Sequence, residues 1–142
     1  MSLELKYPSF AVRVKKGSEQ TKIFDSIRKK WYVLTPEEWV RQHVLNYLVE
    51  VKKYPASLIS IEKEITLNDL KKRYDIVVYK KDLTPFLIVE CKAPFIELEI
   101  ITIEQAQRYN LILKANFLMI TNGICDYVFN LENKICELPN YF

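Results

Sequence analysis

Glycine, histidine and cysteine are scarce in this chain of 142 residues, and each scarcity excludes a kind of site. Two glycines cannot supply a glycine-rich loop of the kind that cradles nucleotide phosphates. The single histidine, His43, falls inside a helical pattern, where we expect a partly exposed helical residue rather than a base or a metal ligand. The three cysteines, Cys91, Cys125 and Cys136, are odd in number and widely spaced, which fits neither a disulfide framework nor a zinc site. We expect reduced thiols.

Long apolar runs are missing as well. Runs such as residues 86–89 and 117–120 are far shorter than the roughly 20 residues that cross a bilayer. The first ten residues lack the apolar stretch of a signal peptide, so a cytoplasmic protein is expected. The composition, 49% hydrophobic and 27% charged, is typical of a globular protein, and the length favours a single domain over residues 1–142.

Positive charge exceeds negative charge only slightly. A net charge of +3 and an isoelectric point near 8.7 permit nucleic acid as a partner without requiring it. The basic residues are nevertheless grouped along the chain, at residues 28–30, 52–53, 71–73 and 80–81.

The beginning of the chain predicts a small β extension over residues 1–34. Short strands are expected at residues 10–14, 21–24 and 31–34, with a turn at residues 16–18. Two tryptophans, Trp31 and Trp39, flank the helix that follows, either as packing residues or as a stacking surface for an exposed base.

Thr35 opens the predicted core, which runs from residue 35 to residue 132. Thr35 is a favourable N-cap, Pro36 is suited to the first helical position, and Glu38 is placed to complete a capping box. Apolar residues then recur at helical spacing, which indicates a buried stripe. The first helix of the core therefore starts here.

The rest of the core predicts an α/β fold. Residues 58–67 alternate between apolar and polar side chains, as a half-buried strand does. Further strands are expected at residues 73–79, 86–92, 117–121 and 126–131, with a helix at residues 101–114 before the last two. This order indicates a central mixed β-sheet flanked by helices.

Two carboxylates lie inside apolar strands of this predicted sheet. If the loop between the second and third core strands has an even number of residues, Tyr79 faces Phe86 and Asp75 lies opposite Glu90. Two opposed carboxylates repel each other unless a cation lies between them, and a divalent metal ion would remove the repulsion. Lys92, two residues after Glu90, projects from the same strand face. The alternative is a pair of acids that face solvent and a salt-bridged lysine. With an odd loop, the register would slip and Asp75 and Glu90 would lie on different faces of the sheet.

Asp75 followed by Glu90-Cys91-Lys92 resembles the D...(D/E)-x-K signature of the PD-(D/E)XK nuclease superfamily, with Tyr74 in place of its proline. Gln105 and Tyr109 resemble the Q-x-x-x-Y element of the RecB-like branch. The fuller string is similar to the N-terminal nuclease domain of type I restriction enzyme R subunits, over about residues 35–123. The resemblance implies a restriction-endonuclease-like core.

The resemblance also implies roles for these residues. Asp75 and Glu90, with the backbone carbonyl of Cys91, would bind Mg²⁺, for which Mn²⁺ could substitute. Lys92 would position the attacking water, and Gln105 and Tyr109 would support the site and the DNA backbone. Family members carry an acid on the first helix. Glu37 is preferred over Glu38 for this role because Glu38 is expected to cap the helix.

Two functions are compatible with this sequence. The first is a Mg²⁺-dependent DNA endonuclease domain, which could need a motor or specificity subunit to reach its substrate. The second is a nucleic-acid-binding or assembly module that retains the nuclease fold without cleaving. The complete set of two acids and a lysine favours the nuclease.

Overall fold

A computed structural model of the chain, which describes residues 4–141, contains two β-sheets and two α-helices. The elements in chain order are β1 (Val14–Lys16), β2 (Thr21–Asp25), β3 (Lys30–Val33), α1 (Pro36–Asn46), β4 (Ile59–Leu67), β5 (Leu70–Tyr79), β6 (Pro85–Cys91), α2 (Ile100–Leu113), β7 (Phe117–Thr121) and β8 (Asp126–Phe129). A π-helical turn (Tyr47–Val51) follows α1, and a short 3₁₀ turn (Ala56–Leu58) precedes β4.

The N-terminal sheet is antiparallel, in the order β1-β2-β3. The predicted strand at residues 10–14 is wrong, because pairing with β2 begins at Val14. Phe10 instead packs its ring edge-on against His43 of α1, at 4.9 Å between ring centroids. Phe10 is thus used to cover the helix.

Helix α1 begins where the sequence predicts. The Thr35 hydroxyl accepts a hydrogen bond of 3.0 Å from the Glu38 amide, and Pro36 occupies the first turn. Val40, Val44 and Leu48 are fully buried. The helix also buries polar residues on its other faces, including Arg41 and Gln42. His43 is buried as well and not partly exposed as predicted, with its Nδ1 2.8 Å from the carbonyl of Trp39.

The main sheet has the order β4-β5-β6-β7-β8 and is mixed, as predicted. Strands β6 and β7 run parallel and the other neighbours run antiparallel. Helix α2 connects the two parallel strands, and its C-cap residue Lys114 takes a left-handed conformation with φ of 59°. No helix within residues 4–141 is long and apolar enough to cross a membrane.

One register prediction is wrong. Tyr79 pairs with Pro85 rather than with Phe86, because a β-bulge lies between Val78 and Tyr79. Beyond the bulge the ladder follows the expected register up to the pair Ile76–Val89. It ends there, one step before the position of Asp75 and Glu90.

The main sheet is covered on both sides. One cluster of buried side chains joins α1 to the sheet through residues that include Val44, Ile76 and Val89. A second cluster, with Val77 and Ile88, lies against α2. Cys91 belongs to the α1 cluster and is 1% exposed, as expected of a small core residue.

Candidate active site

A cavity of about 230 Å³ lies between β6 and α2. Its lining includes Glu90 and Lys92 from β6 and the turn after it, and Gln105 and Tyr109 from α2. Residues 90 and 92 share a strand face, and positions 105 and 109 share a helix face. The structure thus brings four of the predicted site residues together around one space.

Lys72 of β5 also lines this cavity, although its place in the sequence shows only that it belongs to a basic cluster. Its ammonium group is 2.9 Å from Oε1 of Glu90. The same nitrogen lies 4.4 Å from the ring centroid of Tyr74 and 5.3 Å from that of Tyr109. Two aromatic rings and a carboxylate therefore hold this cation in place. No sequence motif singles it out, because its partners come from other elements.

The carboxylate of Asp75 is held by a residue of α1 and not by the residues around this cavity. Its Oδ1 accepts a hydrogen bond of 3.0 Å from Nη2 of Arg41, and its Oδ2 accepts one of 2.6 Å from the amide of Cys91. Asp75 is not among the residues that line the cavity around Glu90. The Cys91 contact nevertheless keeps it beside the residue that follows Glu90.

An interruption of the sheet accounts for this orientation. The β4–β5 ladder passes from the pair Ile61–Ile76 to the pair Lys63–Tyr74 without pairing Asp75. Tyr74 packs in the α2 cluster together with Val77, whereas strict alternation would place it with Ile76. The alternation of faces is therefore broken at Asp75. Ladder interruptions of this kind commonly re-aim a side chain beside an active site.

Glu62 lies next to this interruption on β4, and the alternation of residues 58–67 predicts for it a place on the polar, solvated strand face. It takes a φ of +52°, and its carboxylate lies 3.4 Å from Arg41 and 3.5 Å from Arg28. Its side chain is 45% exposed. Glu62 therefore belongs to the charge network around Asp75, which corrects the expectation that it is merely solvated.

The two acids of α1 have different surroundings. Both oxygens of Glu38 are bound by side chains, among them Arg28, Arg41 and Gln42. Glu38 therefore uses its carboxylate in a buried network, and only its amide takes part in capping by Thr35. Glu37 is 3.6 Å from Arg41, and its side chain is 47% exposed.

Burial and charge shift the ionisation of two acids here. Burial raises the pKa of Glu90, and the nearby charge of Asp75 raises it further, while Lys72 and Lys92 oppose the increase. The pKa of Glu37 is also raised, by burial first and then by Asp75, with Arg41 and Lys92 opposing. The charge of Asp75 thus acts on both acids, although its own carboxylate is held by Arg41.

Buried polar groups around the cavity are not all paired. Burial and the charge of Glu90 raise the pKa of Tyr74 to about 12, so its hydroxyl stays protonated. Within residues 4–141 this hydroxyl is buried and has no hydrogen-bond partner. An unpaired buried hydroxyl is costly to the stability of the fold.

The donor atoms fit Mg²⁺ in kind. Mg²⁺ takes carboxylate and carbonyl oxygens and keeps several waters, so one or two carboxylates are enough. Asp75 and Glu90 each retain unused lone pairs after the hydrogen bonds described above. Within residues 4–141, no group of three or more His, Cys, Asp or Glu side chains is arranged to hold a metal ion. Any ion would therefore depend on these two carboxylates, on a backbone carbonyl oxygen such as that of Cys91, and on solvent.

Residues 36–140 match the family described as type I restriction enzyme R protein N terminus (HSDR_N). The chain belongs to this family. The match begins at the first residue of α1, so it includes the main sheet and both helices and leaves out the N-terminal sheet.

A solved structure supports the fold of the family. The chain is similar to a fragment assigned as the HsdR subunit of a type I restriction enzyme from Vibrio vulnificus YJ016, with a TM-score of 0.55 and 20% identity. The similarity covers 76% of this chain and 23% of that chain, so this chain spans about a quarter of its relative. No curated protein matches the sequence. The mixed sheet with flanking helices is consistent with a restriction-endonuclease-like core.

Proposed function

We propose that this chain is a Mg²⁺-dependent DNA endonuclease domain that hydrolyses phosphodiester bonds. The observation that carries the proposal is the cavity in which Glu90, Lys92, Gln105 and Tyr109 meet, in a chain of the R-subunit family. DNA is the proposed substrate. The similarity covers only 23% of the HsdR chain. We therefore propose a motor or specificity subunit as a further partner of this chain.

Each residue of the site has a role in this proposal. Asp75 and Glu90, with the carbonyl of Cys91, would hold the metal ion. When bound, Mg²⁺ would polarise the scissile phosphate and lower the pKa of a coordinated water. Lys92 orients the water that attacks and offsets negative charge that develops on the phosphate.

The residues of α2 act on the substrate rather than on the ion. Gln105 and Tyr109 carry an amide and a hydroxyl that can donate hydrogen bonds to phosphate oxygens. The charges of Asp75 and Lys92 act on the pKa of Glu37. Glu37 is therefore proposed as a further acid of the site. Mn²⁺ is expected to replace Mg²⁺.

A binding module that does not cleave is the second candidate. The observation that favours it is that protein cations already neutralise both carboxylates, Arg41 at Asp75 and Lys72 at Glu90. Such pairing could serve the stability of a fold that has lost its chemistry. Metal binding distinguishes the two candidates, because only the nuclease needs an ion.

Plasmid nicking with Mg²⁺ or Mn²⁺, beside calorimetric titration of the metal, tests the proposal. Lys92→Ala should keep metal binding and lose cleavage, because the ammonium is not a ligand. Asp75→Ala and Glu90→Gln should lose both properties, and Gln105→Ala should lower the rate while keeping the ion.

The matched control is Glu132→Gln, which alters a carboxylate whose side chain is 74% exposed and lies outside the site. It should change neither metal binding nor cleavage. Cleavage that survives EDTA in the wild type and is unchanged in Lys92→Ala would show that the activity comes from elsewhere, and the binding module would then be the better description.

A further inference from the structure

The N-terminal sheet lies outside the residues that match the family, which begin at residue 36. One of its faces is turned to the rest of the molecule. On that inner face Ile23 and Asp25 are buried, and Asp25 accepts a hydrogen bond of 2.8 Å from Gln42 of α1. On the opposite face, Arg13 and Phe24 approach the helical residues across a groove.

The outer face, defined here by Arg13, Lys15, Lys22, Phe24 and Trp31, follows from the strand register. Lys15 pairs with Lys22 and Phe24 pairs with Trp31. The carbonyl of Arg13 accepts a hydrogen bond from the amide of Phe24. Because directly paired residues point to the same side and alternate residues share a face, these five side chains lie together.

The charges of the outer face are unbalanced. Lys15 and Lys22 are direct cross-strand partners, and like charges in such positions destabilise a sheet. Among the described residues, no carboxylate lies within ion-pair distance of Arg13, Lys15 or Lys22. Of the two acids between residues 13 and 33, Asp25 is on the inner face and Glu19 is in the exposed turn before β2. An anionic partner would supply the missing charge.

The outer face also presents aromatic rings. Phe24 and Trp31 are only half-buried and meet edge to face, with 5.3 Å between their centroids. The guanidinium of Arg13 lies 4.3 Å from the ring centroid of Phe24, and the ammonium of Lys15 lies 4.3 Å from that of Trp31. Each ring is therefore accompanied by a cation that can turn toward a phosphate when a base takes its place over the ring.

A groove adjoins this face. It has a volume of about 330 Å³ and is lined by Arg13 and Phe24 on the side of the sheet and by Leu45, Val49 and Glu50 on the side of the helices. Its walls are mixed in character, with the apolar residues Phe24, Leu45 and Val49 beside the charged residues Arg13 and Glu50. A planar ring can enter such a space beside Phe24.

We propose that the outer face binds single-stranded nucleic acid, through phosphate contacts of Arg13, Lys15 and Lys22 and stacking of bases on Trp31 and Phe24. Cations interleaved with aromatic rings on a sheet are suited to a flexible polyanion that carries flat bases. Duplex DNA is the poorer fit, because its bases are stacked on one another. An acidic peptide matches the charge but not the rings.

Tryptophan fluorescence tests this directly, because the chain has two tryptophans and Trp39→Phe leaves Trp31 as the reporter. In EDTA, an oligothymidylate should quench Trp31 and bind with a slope of about −2 in log K against log salt for three phosphate contacts. Trp31→Ala should weaken binding at least about fivefold, measured by anisotropy of a labelled oligonucleotide. Lys134→Ala, an exposed lysine elsewhere, should leave it unchanged.

Lys15→Glu combined with Lys22→Glu provides a second variant at exposed or partly exposed positions, and it should abolish the quenching. Duplex DNA or polyglutamate that quenches Trp31 as strongly as the oligothymidylate would overturn the proposal, as would binding that Trp31→Ala leaves intact. Because EDTA excludes metal and Lys92→Ala should retain the quenching, failure here is distinguishable from failure of the nuclease proposal.

Discussion

Two protein cations neutralise the two acids of the candidate active site. Arg41 reaches Asp75 from α1, and Lys72 reaches Glu90 from β5. The guanidinium of Arg41 is buried, and the charges of Glu38 and Asp75 raise its pKa against the effect of burial, so it stays charged. Lys72 is the more replaceable of the two, because its side chain is 21% exposed whereas that of Arg41 is only 6% exposed.

Lys72→Met should therefore tighten the binding of Mn²⁺, since an ion at Glu90 competes with the ammonium for the same carboxylate. We expect about a fivefold gain in affinity, the upper range for a partly exposed ion pair, measured by calorimetry. Lys71→Met, next in sequence but 68% exposed, is the matched control and should have no effect. Weaker Mn²⁺ binding by Lys72→Met would show instead that Lys72 positions Glu90.

The lowered pKa of Asp25 predicts how the stability of the protein depends on pH. Burial by itself would raise its pKa, but hydrogen bonds from the Arg28 amide, the Gln42 amide group and the Arg28 guanidinium outweigh burial and lower the pKa below 3.8. The lowered value means that the folded state binds its proton less readily than the unfolded state. The resulting stability is present above pH 3.8 and is lost as pH falls through the folded pKa.

Asp25→Asn should remove this contribution and one carboxylate partner of Arg28, which would still contact Glu38 and Glu62. We expect a loss of about 3 kcal/mol at pH 7, as for other broken buried pairs, with a difference from wild type that shrinks as pH falls below 3.8. Urea unfolding across pH 3 to 7 measures it. A difference that stays constant through this range would contradict the assignment.

At the scale of the elements, the N-terminus of α1 carries the acid Glu37 and the residues that reach Asp75. Thr35 fixes this end through its hydroxyl, which accepts from the Glu38 amide. Glu38 could not complete the capping box that the sequence predicts, because tertiary partners occupy its carboxylate. The cap therefore depends on Thr35.

Thr35→Ala should destabilise the protein by about 1 kcal/mol, since the hydroxyl satisfies one of the free amides of the helix terminus. Thr35→Ser retains the hydroxyl and should lose only a few tenths of a kcal/mol. Chemical denaturation of both variants, with an unchanged denaturant slope, would measure the difference. Equal stability of the alanine and serine variants would show that the hydroxyl does not cap the helix.

At the scale of the whole molecule, basic residues are spread over several elements while the net charge is only +3. Phosphate contacts from such clusters give affinity without reading the base sequence. If the proposed DNA binding is correct, two duplexes of unrelated sequence should bind alike in EDTA. The slope of log K against log salt should be about −3.6 for four phosphate contacts.

Fluorescence anisotropy between 50 and 200 mM salt would test this expectation. Lys80→Ala combined with Lys81→Ala removes one basic cluster and should make the slope shallower by an amount that reflects the lost contacts. Glu132→Gln again serves as the unaffected variant. DNA affinity that does not change with salt concentration, or no DNA binding at low salt, would argue against a surface that contacts phosphates.

Much of the fold was predictable because the signals are local. Alternation over residues 58–67 identified β4, and the Thr35-Pro36 pair identified the start of α1. The clearest failure, the strand at residues 10–14, arose because apolar alternation does not say whether a segment pairs with a strand or covers a helix. Tertiary contact with His43 decided that point.

The sequence by itself determined the order of the elements, the mixed sheet, the family, and the grouping of Glu90 with Lys92 and of Gln105 with Tyr109. The two groupings of residues depend on spacings of two and four residues, which the geometry of a strand and of a helix converts into shared faces. Only the tertiary structure decided which cations meet the acids and where Asp75 points. Arg41 and Asp75 are 34 residues apart in sequence, and Lys72 and Glu90 are 18 apart, so packing of whole elements and a break in one strand's alternation bring them together.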